Sequence, residues 1–324
     1  MVDLLLDNIY SIQISLPDNP LKSLNAYLIL GEKNLLIDTG FNREECYGEL
    51  IEALNSLNVD LNNTDLFITH SHSDHCGLTT LLLKKGCKAY CSEKDAKIIN
   101  ESIKNEYWVN LENLFARYGF PEKDVGRTTD LHPGKRFQNN EVVDFEILHD
   151  GDVISVGAYD FNCILTPGHT PGHMCLYDKK NKILISGDHI LGDITPNICV
   201  ETGMLNPLQL YLESLEKVGK LPVTKTLCAH RGQIIDVYLR ISELQEHHEK
   251  RLKEVKKILC NGAKNAYETA QFMTWRISCN SWEDFPMEQK WFATGEAISH
   301  LNYLYMKGEI KRRQINGVYT FSSY

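Results

Sequence analysis

The chain has 324 residues, 43% of them hydrophobic and 24% charged, a globular composition long enough for one large buried core and a smaller one. Its net charge of −9 offers no general attraction to polyanions, and its ten cysteines include no CxxC pair, so they are expected to be reduced and mostly buried. The N-terminus, Met1–Asp7, is acidic with a three-residue leucine run and lacks the basic flank and apolar stretch of a secretory signal. No later segment is long enough to span a bilayer, so a cytoplasmic protein without a membrane contact is expected.

In chain order, Ala26–Leu30 and Asn34–Asp38 are predicted strands. Glu44–Leu57 is a predicted helix, with Leu50, Ile51, Leu54 and Leu57 at helical spacing. Strand Leu66–Thr69, a helix from about Gly77 to Leu83 and strand Lys88–Cys91 follow. Glu93–Asn100 and Tyr107–Tyr118 have helical patterns, the second ended by Gly119-Phe120-Pro121. Tyr107, Trp108, Phe115 and Tyr118 belong either to the core or to a substrate pocket. Phe161–Thr166, Ile183–Ser186 and Thr226–Ala229 are further apolar strands. From about residue 236 the character changes to a long helix, Ile235–Cys260, then helices at Ala266–Phe272 and Lys290–Lys307. A hairpin, Ile310–Ile315 with Val318–Ser322, closes on the tight-turn pair Asn316-Gly317. His247 and His248 are adjacent, so on a helix they face different ways and cannot chelate one ion; they are expected at the surface or at a hinge.

The chemistry concentrates at His70-Ser71-His72-Ser73-Asp74-His75, directly after the strand Leu66–Thr69. His70 and His72 are two apart on extended backbone, so their imidazoles point to one side and can share a metal. Asp74 and His75 lie where the chain turns towards a helix, which aims them at a neighbouring ion. Cys76, next in line, is expected to act as a small residue in a helix first turn, with redox sensitivity as the alternative. Neutral imidazoles and carboxylates suit zinc or a similar first-row metal. Further donors follow other strands: His169 and His173 in Pro167-Gly168-His169-Thr170-Pro171-Gly172-His173, Asp188 after Gly187, and His230 before Arg231-Gly232. The two Pro-Gly turns would hold His169 rigidly.

This set resembles the metallo-β-lactamase superfamily over roughly residues 3–235. The resemblance implies an α+β fold, a four-layer αββα sandwich of two face-to-face sheets with helices outside and metals at one open edge. It implies two divalent ions per chain, most naturally zinc, with iron or manganese as alternatives. His70, His72 and His169 match the first site, Asp74, His75 and His230 the second, and Asp188 the bridging carboxylate. Asp38 is implied to orient a ligand histidine. The activity implied is attack by a metal-bridging hydroxide, with Asp74 ligating the second ion and holding the hydroxide. His173 would either donate to the developing oxyanion or pin its loop. The oxygen- and NO-reducing diiron relatives carry Glu where this chain has His72, together with a flavin domain; secreted β-lactamases need an export signal; the capped nucleases need more chain. What remains is a small-molecule hydrolase for a thioester, ester or lactone, resembling glyoxalase II. The alternative is an endoribonuclease acting on single-stranded RNA.

The division expected is a catalytic domain at 1–235 and a helical module at 236–324, whose three helices and hairpin wing resemble a winged helix. The same outline is similar to the C-terminal module of certain β-lactamase-like proteins, among them a mitochondrial endoribonuclease. Residues 237–324 carry a net charge of +3 against −12 for the remainder. Lys311-Arg312-Arg313 in the wing favours phosphates weakly, but no basic and aromatic run for base stacking accompanies it. A packing role, closing the active-site edge or making a homodimer contact, is therefore expected ahead of nucleic-acid binding, and the expected partner is a small-molecule substrate.

Overall fold

The computed structural model describes residues 1–276, 279 and 281–324. Seven strands lie side by side in sequence order in the first sheet: β1 (Val2–Leu6), β2 (Ile9–Ser15), β3 (Ser23–Ile29), β4 (Asn34–Ile37), β5 (Thr64–Phe67), β6 (Ala89–Ser92) and β7 (Phe145–Leu148). The first four pair antiparallel, and β4 to β7 pair parallel. A second sheet contains β8 (Val153–Val156), β9 (Tyr159–Leu165), β10 (Met174–Asp178), β11 (Ile183–Gly187) and β12 (Lys225–Cys228), with only β11 and β12 parallel neighbours. A separate hairpin pairs β13 (Lys311–Ile315) with β14 (Val318–Ser322). Asn316 and Gly317 both take positive φ at its turn, as that dipeptide favours.

Strand periodicity explains the layering. On β3 and β4, Tyr27, Ile29, Leu35 and Ile37 meet Phe161, Cys163, Leu176 and Ile185 of the other sheet in a core between the two sheets. Their alternates Ala26, Leu28 and Leu36 face outward onto Cys46, Leu50 and Leu54 of α1 (Glu44–Ser56). The second sheet does the same: Cys175, Tyr177 and Leu184 turn outward onto another helical layer. Strands buried on both faces read as continuous apolar runs, which is why Ile183–Ser186 and Thr226–Ala229 are recognisable in the sequence.

Two single-turn helices follow β5: α2 (Ser73–Cys76) and α3 (Thr79–Leu82). The expected helix near Gly77 thus starts earlier, so Asp74 and His75 lie inside a helical turn. Buried Cys76 ends α2, and burial pushes its thiol well above the ordinary range, which removes the redox-sensitive alternative. The insertion between the sheets holds α4 (Glu93–Ser102), α5 (Asn105–Arg117), α6 (Glu122–Leu131) and α7 (Pro133–Arg136). The outer layer on the second sheet is α8 (Pro207–Gly219), α9 (Val237–Leu259), α10 (Ala266–Phe272) and α11 (Met287–Met306). α9 starts at Asp236, whose carboxylate accepts the N–H groups of Tyr238 and Leu239. Its buried stripe, Ile241, Leu244, His248, Leu252, Val255 and Leu259, packs on α8 and α11. His248 is therefore a core residue, not a surface or hinge residue: Nδ1 is 3.2 Å from His300 Nε2 on α11. Among the described residues no helix is long and apolar enough to cross a membrane.

Candidate metal centre

Five strand ends converge at one edge of the sandwich. β4 runs into Asp38, β5 into His70–His75, β9 into His169, β11 into Asp188 and β12 into His230. β4 and β5 are parallel, as are β11 and β12, and β9 points the same way as β11 through two antiparallel steps. The seven side chains expected as ligands, far apart in sequence, are thus brought within a few ångströms.

Among the described residues they form three overlapping groups: His70, His72 and His169; Asp74, His75 and His230; and His70, His75 and Asp188. In the first, His72 Nδ1 lies 3.1 Å from His70 Nε2 and 3.0 Å from His169 Nε2. In the second, His75 Nε2 and His230 Nε2 are 3.2 Å apart, and Asp74 Oδ2 is 3.4 Å from His230 Nε2. Asp188 lies between them: Oδ2 is 3.6 Å from His169 Nε2, while Oδ1 is 3.5 Å from His75 Nε2 and 3.4 Å from His230 Nε2.

The hydrogen bonds behind the rings assign their tautomers. His75 Nδ1 donates to Asp38 Oδ2 at 2.8 Å, His169 Nδ1 to the Asn197 carbonyl at 2.8 Å and His230 Nδ1 to the Ser23 carbonyl at 2.7 Å. Thr69 Oγ1 donates to Asp38 and accepts from His70 Nδ1 at 3.0 Å. Where the rings are neutral, their four Nε2 atoms turn lone pairs to one another and to carboxylates, an arrangement that repels unless protons or metal cations lie between. Asp188 Oδ1 is buried and has no hydrogen-bond partner among the described residues. The donor set of imidazole nitrogens and carboxylate oxygens fits divalent first-row metals.

Electrostatics points the same way. Burial pushes His70, His72 and His169 below the ordinary histidine range. At His75 burial also acts downward, but Asp38, Asp74 and Asp188 outweigh it and hold the ring up at about 10. Burial works against an ionised Asp74, yet His75 and His230 keep its carboxyl well below the usual range. Several carboxylates around one buried imidazole call for positive charge, which divalent cations supply.

The surrounding residues include some the sequence singled out and some it did not. Asp38, at φ +61°, takes the N–H of Thr69 at 2.9 Å as well as His75, the supporting contact expected of it. His173 is fully buried; its Nδ1 meets Thr166 Oγ1 at 2.8 Å and its Nε2 accepts the Asp188 N–H at 3.1 Å. A ring committed on both nitrogens pins the Asp188 turn and cannot donate to an oxyanion, so of the two expected roles the pin fits. Gly187 in that turn has φ +49°, and a Cβ there would lie 2.7 Å from His173 Nε2. Asp95, not anticipated, accepts Ser71 N–H at 2.9 Å, Thr170 Oγ1–H at 2.5 Å and Gly172 N–H at 2.7 Å, tying the two histidine loops together. Its only sequence signal is the Ser92 cap three residues earlier, which places it in the first turn of α4.

A cavity of about 320 Å³ opens onto His72, Asp74, His169 and Asp188. Its apolar walls include Phe41 and Phe137 from the first half of the chain and Trp291 and Phe292 from α11. The four insertion aromatics are not in this lining. Trp108, Phe115 and Tyr118 are core, and Tyr107 packs against them, so the pocket alternative for that group is corrected. The insertion contributes Leu111, Leu131 and His132 instead. His132 was not foreseen either. Its Nδ1 accepts Gly134 N–H at 3.1 Å, and burial pushes the ring down to about 4, so the neutral ring keeps its proton on Nε2.

Residues 20–230 match the metallo-beta-lactamase superfamily, and residues 252–324 match the metallo-beta-lactamase-like C-terminal domain. A beta-lactamase-like protein 2 homolog of Caenorhabditis elegans is 28% identical over 74% of this chain and 66% of its own length, so the chain spans just under two thirds of that relative. A probable metallo-hydrolase of Bacillus subtilis (strain 168) is 25% identical over 76% of this chain and 79% of its own. The crystal structure of a metallo-beta-lactamase family protein from Thermus thermophilus superposes with a TM-score of 0.84 at 27% identity, covering 99% of this chain and 100% of that one.

Proposed function

The chain belongs to the metallo-β-lactamase superfamily, and from that premise we propose that it is a dinuclear metal-dependent hydrolase of a small, largely apolar thioester, ester or lactone. The observation that carries this reading is Asp188, whose two oxygens each face a separate cluster of ligand atoms. We assign His70, His72 and His169 to one ion, and Asp74, His75 and His230 to the other, with Asp188 shared. Zinc is the first candidate on donor chemistry, with iron or manganese as alternatives. Bound divalent ions would lower the pKa of a water between them towards neutrality and polarise the scissile carbonyl.

The chain's own residues do the rest. Asp74, ionised and at the cavity wall, accepts a proton of the attacking water through a carboxylate oxygen and fixes its direction. The neutral His132 ring presents Nε2–H, which has no partner among the described residues, as a donor for the substrate carbonyl. Phe41, Phe137, Trp291 and Phe292 exclude water and hold an apolar acyl or ring portion. His132→Phe keeps the ring packing against Phe292 and removes the donor; kcat/KM should fall about tenfold or more, and unchanged kinetics would exclude this role.

The module from about residue 236 acts in this reading as a wall of the pocket, since α11 supplies Trp291 and Phe292. Within its wing, Arg312 is held between Tyr305 and Tyr319, 4.2 and 4.6 Å from the ring centroids, and Lys311 lies over Tyr324. Such stacking engages part of the basic surface a ribonuclease would offer to phosphates. The test is a parallel screen of metal-loaded protein against acyl thioesters, lactones and single-stranded RNA. Turnover of a thioester, ester or lactone is expected; cleavage of RNA alone would replace this reading with the nuclease one.

A further inference from the structure

A buried ion pair in the C-terminal helices reaches one of the ligand histidines. His169 donates through Nδ1 to the carbonyl of Asn197, in the loop after β11. The side chain of the same Asn197 donates through Nδ2 to Glu296 Oε2 at 3.2 Å, on α11. The other oxygen, Glu296 Oε1, takes Nε and Nη2 of Arg251 at 3.3 Å each, across to α9. Arg251 is itself fixed from three sides: Nη1 donates to Glu254 Oε2 at 2.9 Å and to the Thr274 carbonyl at 2.6 Å, and the guanidinium lies 4.3 Å from the Trp275 ring centroid. Arg251 and Glu296 are 6% and 8% exposed.

Taking two charges out of water costs about as much as their attraction returns, so such a pair is a poor device for stability alone. It is a good device for fixing direction, because a carboxylate gripped at one oxygen presents the other at a defined place. We propose that Arg251 and Glu296 are positioning residues for the first metal site. They clamp the Asn197 side chain, which sets its carbonyl and through it the tautomer and orientation of His169. The C-terminal module would then tune the affinity of the site for its ion as well as wall the pocket. This rests on the reading of His70, His72 and His169 as metal ligands.

Asn197→Ala is the informative variant. It retains the backbone carbonyl that His169 needs, leaves the Arg251–Glu296 pair whole, and removes only the link between them. Chelator competition on the zinc-loaded full-length protein should show one of two ions held about 10–100-fold more weakly, with the other within about twofold. With cobalt in place of zinc, the visible absorption of the three-histidine ion should shift while that of the second ion stays. Glu296→Gln should reproduce the selective loss. Glu309→Gln, which breaks the exposed Lys256–Glu309 pair between α9 and the turn after α11, should leave both affinities alone. Unchanged affinities and an unchanged cobalt spectrum in folded Asn197→Ala would overturn the inference while leaving the hydrolase reading intact. A wild-type protein that takes up no zinc would overturn both.

Discussion

Asp74 sits with Oδ2 3.4 Å from His230 and lines the cavity; in the proposed reading it both binds an ion and holds the attacking water. Asp74→Ala should lower kcat by about 10²–10⁴ even where one ion is retained, measured on protein of unchanged circular dichroism. Near-native turnover would show that the water is held elsewhere. Glu201, also in the cavity lining, gives a stability prediction. Burial pushes its carboxyl up to about 7, against the hydrogen bond from Tyr107 Oη at 3.0 Å. Because the folded pKa lies above the unfolded value of about 4.3, this contribution is fully present below that value and is lost as pH rises through about 7. Denaturant titrations of the metal-free protein at pH 5 and pH 8 should show a loss of roughly 2–4 kcal/mol that Glu201→Gln lacks. A wild type with the same pH slope as Glu201→Gln would contradict this. The seven ligand candidates were legible because each follows an apolar strand or a paired turn and matches the superfamily's order. Asp95, His132 and Asn197 were not: Asp95 and Asn197 bond partners distant in the chain, His132 bonds only Gly134 beside it, and a lone polar residue leaves no pattern.

At the scale of elements, strands buried on both faces announce themselves, and so does the Asn316-Gly317 hairpin. The N-terminal pair β1 and β2 was not anticipated: Leu4, on β1, is exposed, so the strand carries no clean alternation. In α9 the buried residues include His248, expected at the surface or a hinge, and Arg251, a charge that pattern alone leaves outside until α11 is packed against it. The insertion behaves similarly. Its aromatics enter the core because the hairpin lies against α5, with Tyr118 beside Tyr319 and Phe321, and because Tyr118 Oη meets Asn302 of α11. Such docking argues for a structural wing. Replacing Lys311, Arg312 and Arg313 together by Ala should leave kcat/KM for a small substrate within about twofold, since exposed charges contribute little. Salt-sensitive RNA cleavage by the intact protein, lost in the triple variant, would instead assign the wing to phosphate binding.

Over the whole molecule, charge and shape divide the work. The first 236 residues carry the net −12 and every ligand candidate, and the remainder carries +3 and one wall of the cavity. The four-layer architecture was legible from the resemblance, and the strand pattern agreed with it. The cavity was not, because Phe41, Phe137 and Trp291 meet only after the chain has folded across its full length. Away from the candidate ligands the cavity lining holds Asp18, Glu201 and Glu288 against Arg136, which in the proposed reading disfavours a polyanionic substrate. The central claim is that this edge of the sandwich holds two ions in place by one shared carboxylate. Elemental analysis of the purified, zinc-reconstituted protein, referred to its chain concentration, tests it most directly. Two ions per chain are predicted for the wild type, and no more than a trace of metal after reconstitution would contradict the account.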